Sequence, residues 1–327
     1  MAYRPSAASS RIKGFGLNMF SEDELYDLHM ATLEVLEKTG IKVYDAEARK
    51  YFSDAGCKVD ESSMIVKFPN WLVEEGIKAA PRKLKLYGRE EKNNIVLEGK
   101  RVHFCNFGEG VAIVDPDTEE IRDTTLKDLE DLARFCDSLD ELDLVERMVA
   151  PHDIHPNLHP IVSTRACLFN TSKPFILGGV HEEHVPYIHE MASAVAGGEK
   201  ELREKPLLAV NCCPTTPLQI TESSCRTIMA LAKLNIPINL LSMALAGGTS
   251  PVTLAGTLVC HNAEILSSIL LCQQVSKGTP VIYGSSTTMM DLKTTTSPVG
   301  CPEFAMLNAG VAALAQFYGV PSWAAGG

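Results

Sequence analysis

Several features that would assign this chain to a broad class are missing from its sequence. Its ten cysteines include no Cys-x-x-Cys pair, so neither a zinc ribbon nor a thioredoxin-type redox site is expected. No apolar segment follows the polar first residues, so we expect no secretory signal. The most apolar window, residues 243–275, is interrupted by Gly-Gly-Thr-Ser-Pro and by His-Asn-Ala-Glu. It therefore lacks the roughly 18 uninterrupted apolar residues of a membrane span.

Positive charge is also scarce. Lys and Arg number 30 against 41 Asp and Glu, which gives a formal net charge of −11. Such a surface would repel nucleic acid and anionic membranes, so we expect neither as a partner. The cysteines have no regular spacing, which is typical of reduced thiols in a cytoplasmic protein.

Residues 1–123 are predicted to form an N-terminal region of helices and antiparallel strands. Ser21 opens a capping box that precedes a one-sided stripe of leucines, and Gly40 is the expected end of that helix. A second short helix is predicted over residues 70–79. The apolar runs within residues 93–123 alternate with turns and read as antiparallel strands.

Residues 124–327 change to a repeat of strand, loop and helix, which begins with a helix capped by Thr125. The predicted strands are residues 142–150, 173–180, 205–213, 236–245, 279–286 and 320–327. Five of the six begin with an X-Pro dipeptide, and proline is tolerated at the first residue of a strand. Their nearly continuous apolar character indicates a parallel sheet that is buried on both faces.

The helices of this repeat support a barrel. Ser250-Pro251 and Cys301-Pro302 each place a capping residue before a proline, which predicts two helix starts. Consecutive strand–helix units without a long reversal favour an α/β fold of the (β/α)8 TIM-barrel type over an open doubly wound sheet. About six of its eight barrel strands can be counted here, so we expect an incomplete barrel.

Three segments resemble the trimethylamine:corrinoid methyltransferases. They are residues 250–266 (SPVTLAGTLVCHNAEIL), residues 301–327 (CPEFAMLNAGVAALAQFYGVPSWAAGG) and, more loosely, residues 103–110 (HFCNFGEG). The resemblance implies a TIM barrel longer than this chain. It also implies methyl transfer from trimethylamine to the Co(I) centre of a separate corrinoid protein. No tightly bound cofactor is then expected, because the partner supplies the corrinoid; a homo-oligomer is also expected.

The same resemblance implies a special residue after the last strand. In trimethylamine-specific members, pyrrolysine follows this strand end, so it is expected directly after Gly327 and encoded by an amber codon. Its imine would form an adduct with the amine and present a methyl group to cobalt. On this interpretation the chain stops beside its principal catalytic residue and is itself inactive.

Carboxylates are needed to protonate the imine and to balance a methylammonium charge. The candidate catalytic residues are Glu222 after the segment CCPTTPLQIT, Asp291 after the strand end YGSSTTMM, and Glu303 at a predicted helix N-terminus. A structural alternative stays open for Glu222 and Glu303, because a carboxylate in the first turn of a helix is stabilised by the helix dipole.

The candidate substrate-binding residues are Tyr283, Trp323, Glu109, Gly326 and Gly327. An alkylated ammonium favours an aromatic face through cation–π attraction, although core packing is the commoner role of a strand aromatic. Glu109 has the alternative of an exposed carboxylate at a loop tip.

Other chemistries have weaker support. His152, His155 and His159 suggest a metal site, but Pro156 interrupts them and no nearby carboxylate completes a ligand set. We therefore expect no metal. Two alternatives to the trimethylamine function stay open: a methyltransferase without pyrrolysine that acts on glycine betaine or another amine, and a non-catalytic gene remnant.

Overall fold

The structure is a computed structural model and describes residues 19–326. Its α-helices are α1 (Glu22–Glu34), α2 (Ala46–Asp54), α3 (Asn70–Ala79), α4 (Leu126–Ser138), α5 (His159–Asn170), α6 (Val185–Ala196), α7 (Glu199–Glu204), α8 (Glu222–Lys233), α9 (Leu254–Val275) and α10 (Pro302–Tyr318). Its β-strands are β1 (Ile41–Val43), β2 (Lys58–Asp60), β3 (Ile65–Lys67), β4 (Leu84–Leu86), β5 (Ile95–Leu97), β6 (Ala112–Val114), β7 (Ile121–Asp123), β8 (Val145–Glu146), β9 (Phe175–Leu177), β10 (Leu208–Cys212), β11 (Gln219–Ile220), β12 (Ile238–Ser242), β13 (Leu245–Ala246), β14 (Val281–Ser285), β15 (Thr288–Met289) and β16 (Ser322–Ala324).

Three helices begin at the capping residues that the sequence predicts. Ser21 Oγ accepts a hydrogen bond from Glu24 N at 3.3 Å, and the Glu24 carboxylate accepts from Ser21 N at 2.8 Å, which completes the capping box of α1. Thr125 forms the same arrangement at α4, and the Cys301 side chain caps α10. These starts are confirmed because a cap depends only on residues within one turn of the helix.

The predicted start of α9 at Ser250-Pro251 is wrong. The helix begins at Leu254, and its N-cap is Thr253, whose hydroxyl accepts from Gly256 N at 3.3 Å. Ser250 instead ends a tight turn, since its backbone N–H donates to Leu245 O at 3.0 Å. Two capping patterns lie three residues apart in this segment, and the turn occupies the first of them.

The described residues fall into two compact units. Unit one comprises residues 85–211, and unit two comprises residues 19–84 and 212–326. In unit one, β6 and β7 pair antiparallel, as predicted. In unit two, β1 and β3 pair antiparallel in a small sheet of order β11-β1-β3-β2. The domain boundary that the sequence predicts at residue 123 stays a prediction.

The six strands predicted for the barrel are all present, three in each unit, and within each unit they run parallel. In unit one, β9 pairs with β8 and with β10, and Ile176 is in register with both Glu146 and Ala209. In unit two, β14 pairs with β12 and with β16, and Gly284 is in register with Leu241 and Trp323. Each unit therefore combines three of these parallel strands with α-helices, which is an α/β arrangement.

Prolines mark the starts of these strands for a physical reason. Pro174, Pro280 and Pro321 come immediately before β9, β14 and β16. Their carbonyls accept hydrogen bonds from the neighbouring strands, from Val145 N at 3.1 Å, Ile238 N at 3.0 Å and Tyr283 N at 2.8 Å. A proline at a strand start thus takes part in the ladder through its acceptor, while its missing N–H is not needed there.

Within residues 19–326, one helix is long and apolar enough to cross a membrane by length and composition alone. This helix is α9, and 78% of its most apolar window is buried inside the protein. Its polar residues are also satisfied internally: Asn262 Nδ2 donates to Tyr318 Oη at 2.7 Å and to Thr32 Oγ1 at 2.9 Å. The helix packs against α1, α3 and α8 and has the properties of the core helix of unit two.

Candidate active site

The segment of residues 103–110 lies alongside β8 and extends its edge. Glu109 N donates to Arg147 O at 3.0 Å, and Gly110 N donates to Met148 O at 2.8 Å. The Asn106 side chain adds a further pair: its Nδ2 donates to Glu146 O at 2.8 Å, and its Oδ1 accepts from Glu146 N at 3.0 Å. The Asn106 side chain thus pairs with the backbone of Glu146 as a neighbouring strand would. This pairing holds the segment at the carboxyl end of β8.

This arrangement pairs Glu109 with Arg147. Arg147 Nε donates to Glu109 Oε1 at 3.1 Å, and a second guanidinium nitrogen contacts Oε2. The Arg147 side chain is only 5% exposed, so its charge needs this partner. Glu109 has a φ of +68°, a left-handed conformation that costs a non-glycine residue about 1–2 kcal/mol. Strain of this kind is found where side-chain placement matters.

Two glycines at the end of β9 make room for the ion pair. A Cβ atom at Gly178 would overlap Glu109 Oε1, and one at Gly179 would lie 3.1 Å from an Arg147 nitrogen. Gly179 also has a φ of +65°, which favours glycine. The Gly178-Gly179 pair is therefore required by the position of both charged groups.

Glu146 is the buried carboxylate of this site. Its residue is 4% exposed, and its Oε1 accepts from Asn211 Nδ2 at 2.8 Å. Its Oε2 is buried and has no hydrogen-bond partner among the described residues. A bare buried acceptor is rare in folded proteins and calls for an explanation.

The surroundings of Glu146 favour its protonated form. Burial raises the pKa of Glu146 to about 7; the nearby Glu109 charge also raises it, while the Asn211 hydrogen bond and Arg147 lower it. Gly108 packs directly over the side chain, since a Cβ there would lie 2.7 Å from Glu146 Cγ. A carboxyl group that changes its protonation near neutrality is suited to binding a cation or to transferring a proton.

Sequence reasoning missed three members of this site, namely Glu146, Arg147 and Asn211. A signal was present, because adjacent charged residues interrupt an otherwise apolar predicted strand. Asn211 likewise stands near the end of the apolar strand β10. Polar residues at the carboxyl ends of buried parallel strands are the usual place for barrel chemistry.

In unit two, a second group of predicted residues lies on the sheet. Gly284 faces Asn239, because a Cβ atom there would overlap Asn239 Oδ1. Trp323 is in register with Gly284, so the two residues share that face of the sheet. Its side chain is partly exposed. Substrate contact by Trp323 stays a prediction that this placement allows.

Tyr283 lies on the opposite face, which points toward the helices. It is fully buried, and its hydroxyl donates to Asn262 Oδ1 of α9 at 2.7 Å. Its ring centroid lies 5.4 Å from that of His261 and 6.2 Å from that of Tyr318. These contacts favour the packing alternative over substrate binding for Tyr283.

The three predicted catalytic carboxylates all lie in unit two. Glu222 opens α8 and forms an ion pair with Arg226. Asp291 accepts from Lys293 N at 2.8 Å, and its backbone hydrogen bonds hold its pKa below the usual range. Glu303 lies in the first turn of α10. No hydrogen bond or ion pair joins these three residues to one another in the described part of the chain, and their catalytic roles stay predictions.

The remaining predicted site residues are the terminal glycines and the histidines. Gly326 is exposed, and Gly327 lies outside the described residues. The histidines contact nearby main-chain and hydroxyl groups: His159 Nε2 is 2.9 Å from Ile154 O, and His152 Nδ1 is 3.2 Å from Thr124 Oγ1. Among residues 19–326, no group of three His, Cys, Asp or Glu side chains could hold a metal ion.

Comparison with solved structures identifies the fold. The monomethylamine methyltransferase MtmB of Methanosarcina barkeri superposes with a TM-score of 0.55 and 12% sequence identity, covering 92% of this chain and 67% of that one. The crystal structure of a hydroxylamine complex of MtmB gives the same values. The predicted fold class is confirmed: this is an α/β protein of the TIM-barrel type, with a buried acidic site at the carboxyl ends of its parallel strands.

Comparison with sequences then gives the family. A trimethylamine methyltransferase (MTTB) family model matches residues 8–327. The trimethylamine methyltransferase MttB of Desulfitobacterium hafniense is 52% identical over 321 residues, which are 98% of this chain and 65% of that protein. The chain belongs to the trimethylamine methyltransferase family.

Other relatives are more distant. The MttB protein of Methanosarcina barkeri is 43% identical over 325 residues, covering 98% of this chain and 66% of that protein. A glycine betaine methyltransferase of Desulfitobacterium hafniense is 32% identical over 311 residues, covering 95% of this chain and 64% of that protein. The chain spans about two thirds of the length of these relatives.

Proposed function

We propose that the protein transfers a methyl group from trimethylamine to the Co(I) centre of a cognate corrinoid protein. The observation that carries this proposal is the 52% identity to a trimethylamine methyltransferase over 98% of the chain. The glycine betaine relative is 20 percentage points less similar, at 32% against 52%, which favours the tertiary amine as substrate.

The geometry of unit one supports the same substrate class. Its site combines two carboxylates, Glu109 and Glu146, with one guanidinium, Arg147. When both acids are ionised the cluster carries one net negative charge, which suits an alkylammonium cation. Because Glu109 is already paired with Arg147, Glu146 is the carboxylate with acceptor capacity left for a ligand.

The corrinoid is proposed to come with the partner protein, so this protein holds no tightly bound cofactor of its own. The resemblance in residues 301–327 supports pyrrolysine as the residue that follows Gly327. Mass spectrometry of the protein isolated from its native host tests this directly. A peptide with pyrrolysine after Gly327 supports the assignment, and an ordinary amino acid at that position contradicts it.

The activity itself is tested with protein of its natural length and a reduced corrinoid protein. Trimethylamine should convert the Co(I) absorbance to that of methyl-Co(III) and yield dimethylamine in equal amount. Methyl transfer from glycine betaine but not from trimethylamine would establish the alternative substrate. No transfer from either donor, with a folded protein, would support the non-catalytic alternative.

The cellular setting follows from the same proposal. The partner is proposed to meet the protein in the cytoplasm, and the protein is proposed to form a homo-oligomer. Light scattering on the purified protein tests the oligomer, since a mass equal to one chain would contradict it.

A further inference from the structure

We infer that Glu146 binds the substrate as trimethylammonium, with its unpartnered Oε2 accepting the single N–H of that cation. The inference rests on the proposed function and names the residue that would make the site specific for a tertiary amine. A quaternary ammonium such as tetramethylammonium has the same charge but no N–H, so it cannot form this hydrogen bond.

The first argument is the difference between the two oxygens of Glu146. Oε1 is occupied, since it accepts from Asn211 Nδ2 at 2.8 Å. Oε2 is buried and has no partner among the described residues. A carboxylate that is held by one oxygen and bare at the other offers one directed acceptor, which matches a ligand with one donor.

The second argument is the apolar character of the strand face that carries Glu146. Residues in register on neighbouring parallel strands share a face of the sheet, so Ile176 and Ala209 lie on the same face as Glu146. Both are fully buried apolar residues. The next position along β9 on this face is Gly178, which has no side chain. A strand face that is apolar except for one charged acceptor suits a cation whose other three substituents are methyl groups.

The third argument is that the other charged groups are already paired. Among the described residues, Glu109 and Arg147 are the charged groups that act on Glu146. They neutralise one another through their ion pair. A cation that reaches this site therefore finds one carboxylate whose charge is not compensated.

The same contact provides a route for the proton. Trimethylammonium must lose its N–H proton before its nitrogen can act as a nucleophile. When the N–H bond breaks and an O–H bond forms at Oε2, the nitrogen keeps the electron pair and the two charges cancel. The pKa of about 7 for Glu146 makes it a better proton acceptor than an ordinary carboxylate.

The test is calorimetric titration of trimethylammonium chloride and tetramethylammonium chloride into protein of its natural length. Wild-type protein should bind trimethylammonium more than tenfold tighter than tetramethylammonium, because only the former makes the charge-assisted hydrogen bond. In Glu146→Gln the two affinities should become equal within about threefold. Glu190→Gln, at an exposed position of α6, is the matched control and should behave as wild type.

A second readout is the proton that binding of the cation releases. Because the bound cation needs ionised Glu146, binding should release about half a proton near pH 7 and almost none at pH 8.5. The apparent Kd should be about tenfold weaker at pH 6 than at pH 8. Titrations in buffers of different ionisation enthalpy measure the release, which should vanish in Glu146→Gln.

The outcomes separate this inference from the proposed function. Binding that depends on Glu146, without methyl transfer, would uphold the inference and overturn the function. Methyl transfer that continues at wild-type kcat/KM in Glu146→Gln would uphold the function and overturn the inference. Equal binding of the two cations by the wild type, or no proton release, would also overturn the inference.

Discussion

The two units each bury a glutamate, and the two residues differ in how their oxygens are used. In unit two, Glu264 lies in the middle of α9. Its Oε2 accepts from Ser242 Oγ at 2.7 Å and Thr216 Oγ1 at 2.9 Å, and its Oε1 accepts from Leu218 N at 2.9 Å. In unit one, Glu146 has one such partner and one bare oxygen.

Burial raises the pKa of both side chains, so burial alone does not tell a structural acid from a functional one. The number of hydrogen-bond donors that contact each carboxylate does distinguish them. Glu264 holds the loop between β10 and β11 against α9 and has no acceptor capacity directed at a ligand. Glu146 retains that capacity at the carboxyl end of a parallel strand, where barrel proteins bind substrates.

The largest expected effect comes from removing the structural acid. Glu264→Ala should lower the free energy of unfolding by about 4 kcal/mol, because Ser242, Thr216 and Leu218 N lose their buried acceptor together. Urea denaturation of protein at its natural length measures this. Glu264→Gln keeps one acceptor oxygen and should lose less. A loss below about 1 kcal/mol for Glu264→Ala would contradict the structural role of Glu264 and so its contrast with Glu146.

The next effect is the pH dependence that Glu146 imposes on stability. Its pKa is raised from 4.5 to about 7 on folding, so the folded state retains a proton that the unfolded chain has lost. Stability from this group is full below pH 4.5 and is lost as the pH rises through 7, by up to about 3 kcal/mol.

The variant Glu146→Gln isolates this contribution. Relative to the wild type, the free energy of unfolding of Glu146→Gln should rise by about 2–3 kcal/mol between pH 5 and pH 8. The free energy of unfolding of the Glu190→Gln control should follow that of the wild type over the same range. Urea titrations across this range measure the difference. Parallel curves for wild type and Glu146→Gln would show that Glu146 is an ordinary carboxylate.

An intermediate effect is expected at the glycine beside the ion pair. Gly178→Ala places a methyl group where Glu109 Oε1 lies, so the Glu109–Arg147 pair must move. We expect a loss of about 2 kcal/mol in stability and about a tenfold loss in kcat/KM for trimethylamine. Gly197→Ala is unsuitable as a control because of its φ of +97°; Ser138→Ala, at the exposed end of α4, serves instead. Unchanged stability and kcat/KM in Gly178→Ala would show that the pair is not fixed by this contact.

The smallest effect concerns one donor of the structural acid. Thr216→Val removes a single hydroxyl that donates to Glu264 Oε2 at 2.9 Å, while Ser242 and Leu218 N remain. The expected loss is about 1 kcal/mol, measured by urea denaturation, with no change in the affinity for trimethylammonium. A change in that affinity would mean that Glu264 also acts on the site.

Much of the fold could be predicted because its signals are local. A capping box requires residues within one helical turn, so Ser21 and Thr125 mark their helices unambiguously. A proline marks a strand start through its own missing N–H, so this signal is also local. The start of α9 was misplaced because two capping patterns compete in one short segment, and the turn at Leu245–Ser250 decides between them.

The site was harder to predict because it depends on register and direction. Whether Tyr283 points to the helices or to the other face is fixed by its pairing with β12 and β16, which the sequence does not state. Glu146 and Asn211 meet only because β9 lies between their strands and has Gly178 at its end. Glu109 was predicted as a site residue from its glycine-rich segment, but its partner Arg147 lies 38 residues away.

Infrared difference spectroscopy of the Glu146 carboxyl group tests the central claim most directly. Wild-type protein at pH 6 should show the C=O band of a buried protonated carboxyl, which titrates away with a midpoint near pH 7 and disappears when trimethylammonium binds. Glu146→Gln should lack this band and its response to the cation. A wild-type spectrum with no carboxyl titrating between pH 6 and pH 8, or a band that persists in Glu146→Gln, would contradict the assignment of Glu146 as the acid that meets the substrate.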